Sequence, residues 1–369
     1  MSLVDRAVAV VQKNRQLVVE NITLPELQPH QVYVSIEWAA FNPTDRLAFD
    51  VDAFGDGAVL GCDFVGTVTQ AHPNVSRLQV GDRIAALVWG GDIKGVGAYS
   101  SYCIADERIS FKVPNTVEGP KASAVPLAAN TAYLALFSQD CLGLSRDICT
   151  IKPPVLIWGG SCKIQITDGF PNKGVVGYFA IQLAKLHGYP VATICSPHNF
   201  DYVKNAGATF VFDYNDTDVV TKLQTAVPTL SHVFDTIGNA SSSATAAAAV
   251  NGRPGVLCTV RPGKANTEKV PSNIKVTDVF VFTAFPTAHT YRGLVHWPVS
   301  MPNHLLSAEL YERLPSLLES NAIKPPPVKV LGRLSPQSVN EAMELNREGK
   351  ISAEKLCFDV SSAFGEQSV

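Results

Sequence analysis

The chain has 369 residues, 46% apolar and 17% charged, and 30 basic against 33 acidic side chains give a formal net charge of −3. A chain of this length buries about three quarters of its unfolded surface, which excludes a small disulfide-stapled module and favours two domains. No basic block supplies the electrostatic attraction that nucleic-acid binding needs, and no apolar run approaches the roughly 18 residues of a membrane span. The opening MSLVDRAVAV lacks the form of a secretion signal. Cysteines at 62, 103, 141, 149, 162, 195, 258 and 357 are too scattered for a disulfide framework. They read as free thiols in a reducing compartment, so a cytoplasmic placement is expected.

The first 120 residues read as sheet. Leu17–Glu20, Gln31–Ala39, Val65–Thr69, Arg83–Val88 and Tyr99–Ile104 are short β-branched or aromatic runs separated by turn residues such as Gly81-Asp82. A largely antiparallel barrel or sandwich fits. The rhythm changes near residue 120. Ala122–Phe137 has a helical pattern with Pro126 in its early part, and Val155–Trp158 is a strand that runs into Gly159-Gly160. Helical periodicity over Val175–Leu186 is followed by the strand Val191–Cys195 and the helix Phe200–Ala206. Strand Thr209–Phe212, helix Asp218–Thr225, strand His232–Thr236, an alanine-rich helix near 241–249 and strand Gly255–Val260 continue the alternation. Such alternation means a parallel sheet with crossover helices. Lys275–Thr283 is the candidate edge strand. In the tail, His304–Glu319 reads as a helix, Ser335 caps another that opens on Pro336, and Lys355–Val360 is a strand. Periodicity does not assign these last elements to either half.

The chemistry sits in VLIWGG at 155–160 and KGVVGYFAIQLAKLHG at 173–188. A strand running into glycines, a glycine-bearing helix start and a second strand build a dinucleotide-binding βαβ unit, in which backbone amides and the helix dipole hold the pyrophosphate. Thirteen residues, Ser161–Lys173, stand where the phosphate turn is usually tight. They are either a surface excursion beside an intact site or a displaced turn that weakens cofactor binding. The pyrophosphate amides come from Gly159, Gly160, Ser161 and Cys162 or from Gly174, Val176 and Gly177. At the end of the second strand, where an NAD site places an acid, the chain has Ser196, His198 and Asn199, with Lys204 a turn later. Hydroxyl, amide, imidazole and ammonium groups suit a 2′-phosphate, so NADPH is the expected cofactor. The alternative is that His198 and Asn199 only cap the next helix.

Metal ligation and nucleophilic catalysis find little support. Only Cys103 lies near 90–110, where a structural zinc lobe would need four cysteines, and Cys62-Asp63 has no third ligand upstream. No metal site is expected. Neither G-x-S-x-G nor H-E-x-x-H occurs.

The segments AAFNPTD (39–45), VLGCDFVGTV (59–68), VGDRIAAL (80–87), GAYSSYC (97–103), LAANTAYLALF (127–137), IWGG (157–160), IQLAKLHGYPVATICSPHNFDYVKNAGATFVFDY (181–214), VFDTIG (233–238) and EKLCFDV (354–360) carry a resemblance over the whole length. The chain resembles zinc-free medium-chain dehydrogenase/reductases, and within them the fungal trans-acting enoyl reductases that partner polyketide synthases. The resemblance implies a GroES-like, mainly β substrate domain from 1–120 and 300–369 around a Rossmann-type parallel-sheet domain from 121–299. It implies hydride transfer from NADPH to the β-carbon of an α,β-unsaturated thioester on a polyketide carrier chain, with transient contact to the synthase and a monomeric state. It places Asn42, Pro43 and Asp45 on the loop lining the nicotinamide, Thr131 near nicotinamide and substrate, Tyr214 near the adenosine phosphate, and Ile237-Gly238 on the turn after the fourth Rossmann strand.

The family's N-P-x-D-x-K reads Asn42-Pro43-Thr44-Asp45-Arg46-Leu47 here, so its lysine position holds Leu47 and Arg46 stands one residue early. A hydrogen bond donated by that lysine would have to come from Arg46, Thr131, a cofactor hydroxyl or water. Enolate stabilisation is expected from Thr131, backbone amides or a ribose hydroxyl. The proton comes from solvent or from Asp45, unless Asp45 caps its own loop. Three alternatives stand beside the enoyl reductase: a quinone-type oxidoreductase, a non-redox cyclase or isomerase on the same fold, and a non-catalytic synthase partner.

Overall fold

The computed structural model describes residues 7–161, 175–291 and 295–364. In the N-terminal part, β1 (Ala7–Lys13) and β2 (Gln16–Ile22) pair as an antiparallel ribbon. After β3 (Gln31–Ala40), the helix α1 (Pro43–Asp50) opens on Pro43, whose fixed φ suits the first helical position. β4 (Asp63–Ala71), β5 (Arg83–Leu87), β6 (Tyr102–Asp106) and β7 (Ser110–Lys112) follow. β1 and α1 went unseen in the sequence, because each is a single short element whose apolar pattern is not periodic.

The helical pattern expected over 122–137 is two helices, α2 (Gly119–Ser123) and α3 (Pro126–Phe137). Pro126 breaks it: proline lacks the N–H that a continuing helix would bond, and here it starts α3 instead. All twelve residues of α3 are buried, and a helix that is apolar on every side belongs in the interior. It packs against α4 (Val176–Leu186) and α8 (Met301–Glu319) and so lies between the two sheets.

The parallel sheet contains β8 (Val155–Ser161), β9 (Val191–Cys195), β10 (Phe210–Asp213), β11 (His232–Asp235), β12 (Gly255–Thr259) and β13 (Ile274–Asp278) in the order 10-9-8-11-12-13. The helices α5 (Phe200–Ala206), α6 (Val219–Ala226) and α7 (Ala240–Ala248) connect these strands. β8 is central and the chain winds outward from it in both directions, which puts a topological switch between β8 and β11. The crevice at the carboxyl end of such a switch is where open α/β sheets bind ligands. The edge strand β13 stops at Asp278, and Val281–Ala284 is a 3-10 turn rather than more strand. A small ribbon follows, β14 (His289–Tyr291) with β15 (Val295–Trp297).

The tail closes the other sheet. β16 (Val328–Arg333) and β17 (Lys355–Asp359) extend the order 16-17-3-4-5-7, with β17 antiparallel to β3 and Cys357 opposite Ala40. α9 (Pro336–Arg347) has the expected Ser335 cap, whose hydroxyl accepts from the Ser338 N–H, and it packs against α1. Among the described residues, no helix is long and apolar enough to cross a membrane. The seven described cysteines are free, and all but Cys149 are buried; Cys162 lies outside the described residues.

Candidate active site

A cavity of about 170 Å³ opens between the two sheets at the carboxyl end of β8 and β11. Asn42, Pro43 and Leu47 line it from the first turns of α1, and Leu127 and Thr131 from α3. Val176 and Thr236 follow β8 and β11 in the chain, Arg261 follows β12, and Lys355 opens β17. Phe280 and Phe282 form an apolar wall, backed by Trp89, which stacks on Phe282 with ring centres 4.5 Å apart. Behind them, Phe280 stacks on Trp297 at 3.8 Å.

Backbone packing positions the phosphate side of this cleft. Gly159 has φ +93°, and a Cβ there would meet Ile237 and Thr236 at 2.8 Å. A Cβ on Gly177 would come within 2.5 Å of the Gly159 carbonyl oxygen, so only glycine lets the start of α4 lie this close to β8. Gly160 meets the Thr193 hydroxyl in the same way. Thr236 hydrogen-bonds the carbonyls of Trp158 and Gly159, which locks the end of β8 to β11. Ile237 and Gly238 donate their N–H groups to Asp235, and Gly238 turns at φ +69°. Gly174 and nearly all of the Ser161–Lys173 excursion lie outside the described residues, and so does the choice between the two amide sets. For Ser161 only the backbone, as the last residue of β8, is described.

The residues expected at the adenosine end do gather. Ser196 follows β9 directly and is buried with Asn199, which donates its N–H to the Ser196 carbonyl. His198 and Lys204 are exposed beside them, and the Lys204 ammonium lies over the Phe200 ring. Tyr214 follows β10 and donates its N–H to the Cys195 carbonyl. Because the strands are parallel, this cluster and the cavity share one edge of the sheet, separated by the width of β9 and β8.

The side chains at the three expected catalytic positions are each engaged within the protein. Asp45 does not line the cavity. Its carboxylate accepts the Asn42 N–H and the Tyr99 hydroxyl, both at 2.8 Å, with the Cys62 thiol at 3.4 Å. It therefore caps its own loop. Burial raises its pKa to about 6, opposed by those hydrogen bonds and by the charge of Lys355. Arg46 is also turned away: its guanidinium donates to Asn346 and Asp50, each at 2.8 Å, and ties α1 to α9. Thr131 does line the cavity, but its hydroxyl proton goes to the Leu127 carbonyl at 2.7 Å. Helical threonines commonly bond back one turn in this way, which leaves the oxygen an acceptor rather than a donor.

The polar side of the cavity comes from Asn42, Lys355 and Arg261, with Asp63 buried behind the first two. Asp63, fully buried, accepts the Leu127 N–H at 2.7 Å and so caps α3 where the helix dipole favours a negative charge. Its other oxygen accepts from Asn42 Nδ2 at 2.9 Å and Lys355 Nζ at 3.0 Å. Lys355 also donates to Asn42 Oδ1. Arg261 anchors one N–H on the Gly238 carbonyl, and burial together with the charge of Arg46 lowers its pKa. A lysine opening the buried run EKLCFDV was the one available sequence signal, since a charge at the head of a core strand needs a partner.

The chain matches the family profile of the alcohol dehydrogenase GroES-like domain over residues 28–115 and that of the zinc-binding dehydrogenases over 175–297. It is 30% identical over 363 residues to the trans-enoyl reductase ACTTS2 of Alternaria alternata, covering 97% of this chain and 100% of that one. It is 31% identical to LovC, the enoyl reductase component of lovastatin nonaketide synthase from Aspergillus terreus, over 90% of each chain. The fold superposes on an alcohol dehydrogenase superfamily protein from Novosphingobium aromaticivorans with a TM-score of 0.72 at 21% identity, covering 96% of this chain and 99% of that one. Despite the name of the second family, no three His, Cys, Asp or Glu side chains among the described residues gather as metal ligands. A GroES-like β domain beside a Rossmann-like parallel sheet, with a crevice at the switch point, is the architecture of a medium-chain dehydrogenase/reductase. The chain belongs to the trans-enoyl reductase family within the zinc-independent branch of that superfamily.

Proposed function

We propose that this chain is an NADPH-dependent reductase of an activated carbon–carbon double bond, with an α,β-unsaturated thioester on a polyketide carrier chain as substrate. The observation that carries this reading is the cleft at the β8–β11 switch, on the same sheet edge as a cluster of polar side chains that stands in place of the usual ribose-binding acid. The residues fit the dinucleotide. Gly159, Gly160 and Gly177 clear the close approach of strand and helix, as the blocked Cβ positions show. Ser196, His198, Asn199 and Lys204 offer a 2′-phosphate hydrogen-bond donors and a positive charge. Val176 and Thr236 line the crevice, Ile237 and Gly238 form the turn directly after Thr236, and Asn42 and Pro43 face the crevice from the other sheet.

When bound, NADPH supplies a hydride to the substrate's β-carbon, a solvent proton goes to the α-carbon, and NADP+ and the saturated thioester result. The chain itself excludes water and fixes geometry. Phe41, Leu47, Leu127, Val281 and Phe282 make the walls apolar, which strengthens any hydrogen bond formed to a developing enolate oxygen. With the Thr131 proton committed to Leu127, the side chains lining the cleft that carry donors include Asn42, Thr44, Arg261, Asn346 and Lys355, beside backbone amides.

Calorimetry with NADPH and NADH, followed by turnover of a but-2-enoyl pantetheine thioester, tests the reading. The expected result is tighter binding of NADPH and one NADPH oxidised per saturated product. Product formed equally well without NADPH would instead make the chain a non-redox cyclase or isomerase. Absence of NADPH binding would remove hydride transfer altogether.

A further inference from the structure

Lys355 and Asn42 are separated by 313 residues in the chain, yet they meet at the floor of the cleft. The side-chain amide of Asn42 is held on both sides: its oxygen accepts from the Lys355 ammonium, and its nitrogen donates to Asp63 at 2.9 Å. A second, looser donation runs to the Ala40 carbonyl at 3.5 Å. An asparagine amide ordinarily turns over with little change in shape. Here a flip would set NH2 against NH3+ and a carbonyl oxygen against a carboxylate, so electrostatics permits one orientation only. The backbone of Asn42 is fixed independently, because Asp45 accepts its N–H. Among the described residues no other side-chain cation bonds the Asn42 amide: Leu47 occupies the motif's lysine position as an apolar wall, and Arg46 is engaged with Asp50 and Asn346.

We infer that Lys355 is a positioning residue for hydride transfer: supplied by the C-terminal strand in place of the motif lysine, it holds the Asn42 amide in its one productive orientation in the cleft. The inference rests on the reductase reading above. Preorganised polar groups accelerate a step because they need not reorient as charge develops, and a supporting partner that fails to hold them costs rate rather than binding.

The test is a double-mutant cycle on the full chain, reading NADPH affinity, kcat and KM with the but-2-enoyl pantetheine thioester. Lys355→Met is expected to lower kcat about 10- to 100-fold, the range of one charge-assisted hydrogen bond, with NADPH affinity changed less than about threefold. Asn42→Ala is expected to lower kcat to a similar degree. The two together should cost no more than either alone, because they remove the same interaction. Lys355→Arg should recover part of the rate. Lys355→Met leaves Asp63 as a buried unpaired charge, so Lys355→Met/Asp63→Asn is measured beside it to preserve the fold.

Normal kcat in the folded variants with only a lowered thermal midpoint would make Lys355 a structural ion pair and overturn the inference. Additive losses, or a loss confined to NADPH affinity, would overturn it too. A wild type that neither binds nor oxidises NADPH overturns the reductase reading first, and this inference with it. A wild type that does both, beside variants of unchanged kcat, overturns this inference alone.

Discussion

Asp45 shows what burial does to a single carboxyl group. Enclosed by the α1 loop, Tyr99 and Cys62, it holds its proton up to about pH 6, whereas in the unfolded chain it releases it near the ordinary value of 3.8. Between those two values the folded state binds more protons than the unfolded state, so stability falls as pH rises through the interval and levels off above it. The difference of about two units corresponds to roughly 3 kcal/mol. Asp45→Asn lacks this titration. Urea unfolding at pH 4 and pH 7 should therefore show the wild type losing about 2 kcal/mol more than the variant, since part of the change is already complete at pH 4. Equal losses would mean that Asp45 is better solvated than its position implies. The same position explains why the motif alone could not separate an acid from a cap: N-P-T-D places a carboxylate on the loop, but only the packing of Tyr99 against it turns it inward.

At the scale of elements, the contact of α4 with β8 is backbone against backbone. Gly→Ala inside a helix ordinarily gains about 1 kcal/mol in propensity. At Gly177 the added methyl would press on the backbone of Gly159 and Gly160, which cannot rotate aside as a side chain would. Overpacking of this sort costs about 1–3 kcal/mol and outweighs the gain. Gly177→Ala is thus expected to unfold at lower temperature and to bind NADPH more weakly, both read by thermal denaturation with and without the cofactor. A variant as stable as the wild type would show that α4 can slide outward freely. The helices and strands of this half were legible in the sequence, because each βα unit repeats the same apolar rhythm and ends on glycine or a polar turn. The split at Pro126 was less legible, since the residues on both sides of it are helix formers and periodicity runs straight across the break.

For the whole molecule, the decisive feature is that the last strand returns to the first sheet. β17 lies between β16 and β3, and it brings Lys355 to Asn42 and Cys357 to Ala40. Removing it would expose the edge of β3 and leave Asp63 buried without its cation. A chain ending at Lys350 is expected to lose protection of β3 amides in hydrogen exchange while β8 and β9 stay protected, because the parallel sheet takes no strand from the tail. Uniform loss across both sheets would show that the two halves unfold as one unit.

Local chemistry determined much of this protein before any folding: the alternation that makes a parallel sheet, the glycines that let a helix start meet a strand, and the donors that replace an acid after Cys195. These are readable because each depends on neighbours within a few turns. What faces the cleft was settled only by tertiary structure. Asp45, Arg46, Asp63 and Lys355 are all charged residues in family-like segments, and nothing in their spacing says which pair with one another and which line the cavity. That choice depends on contacts across some 300 residues, where desolvation forces every buried charge to find a partner and the fold decides which partners are within reach.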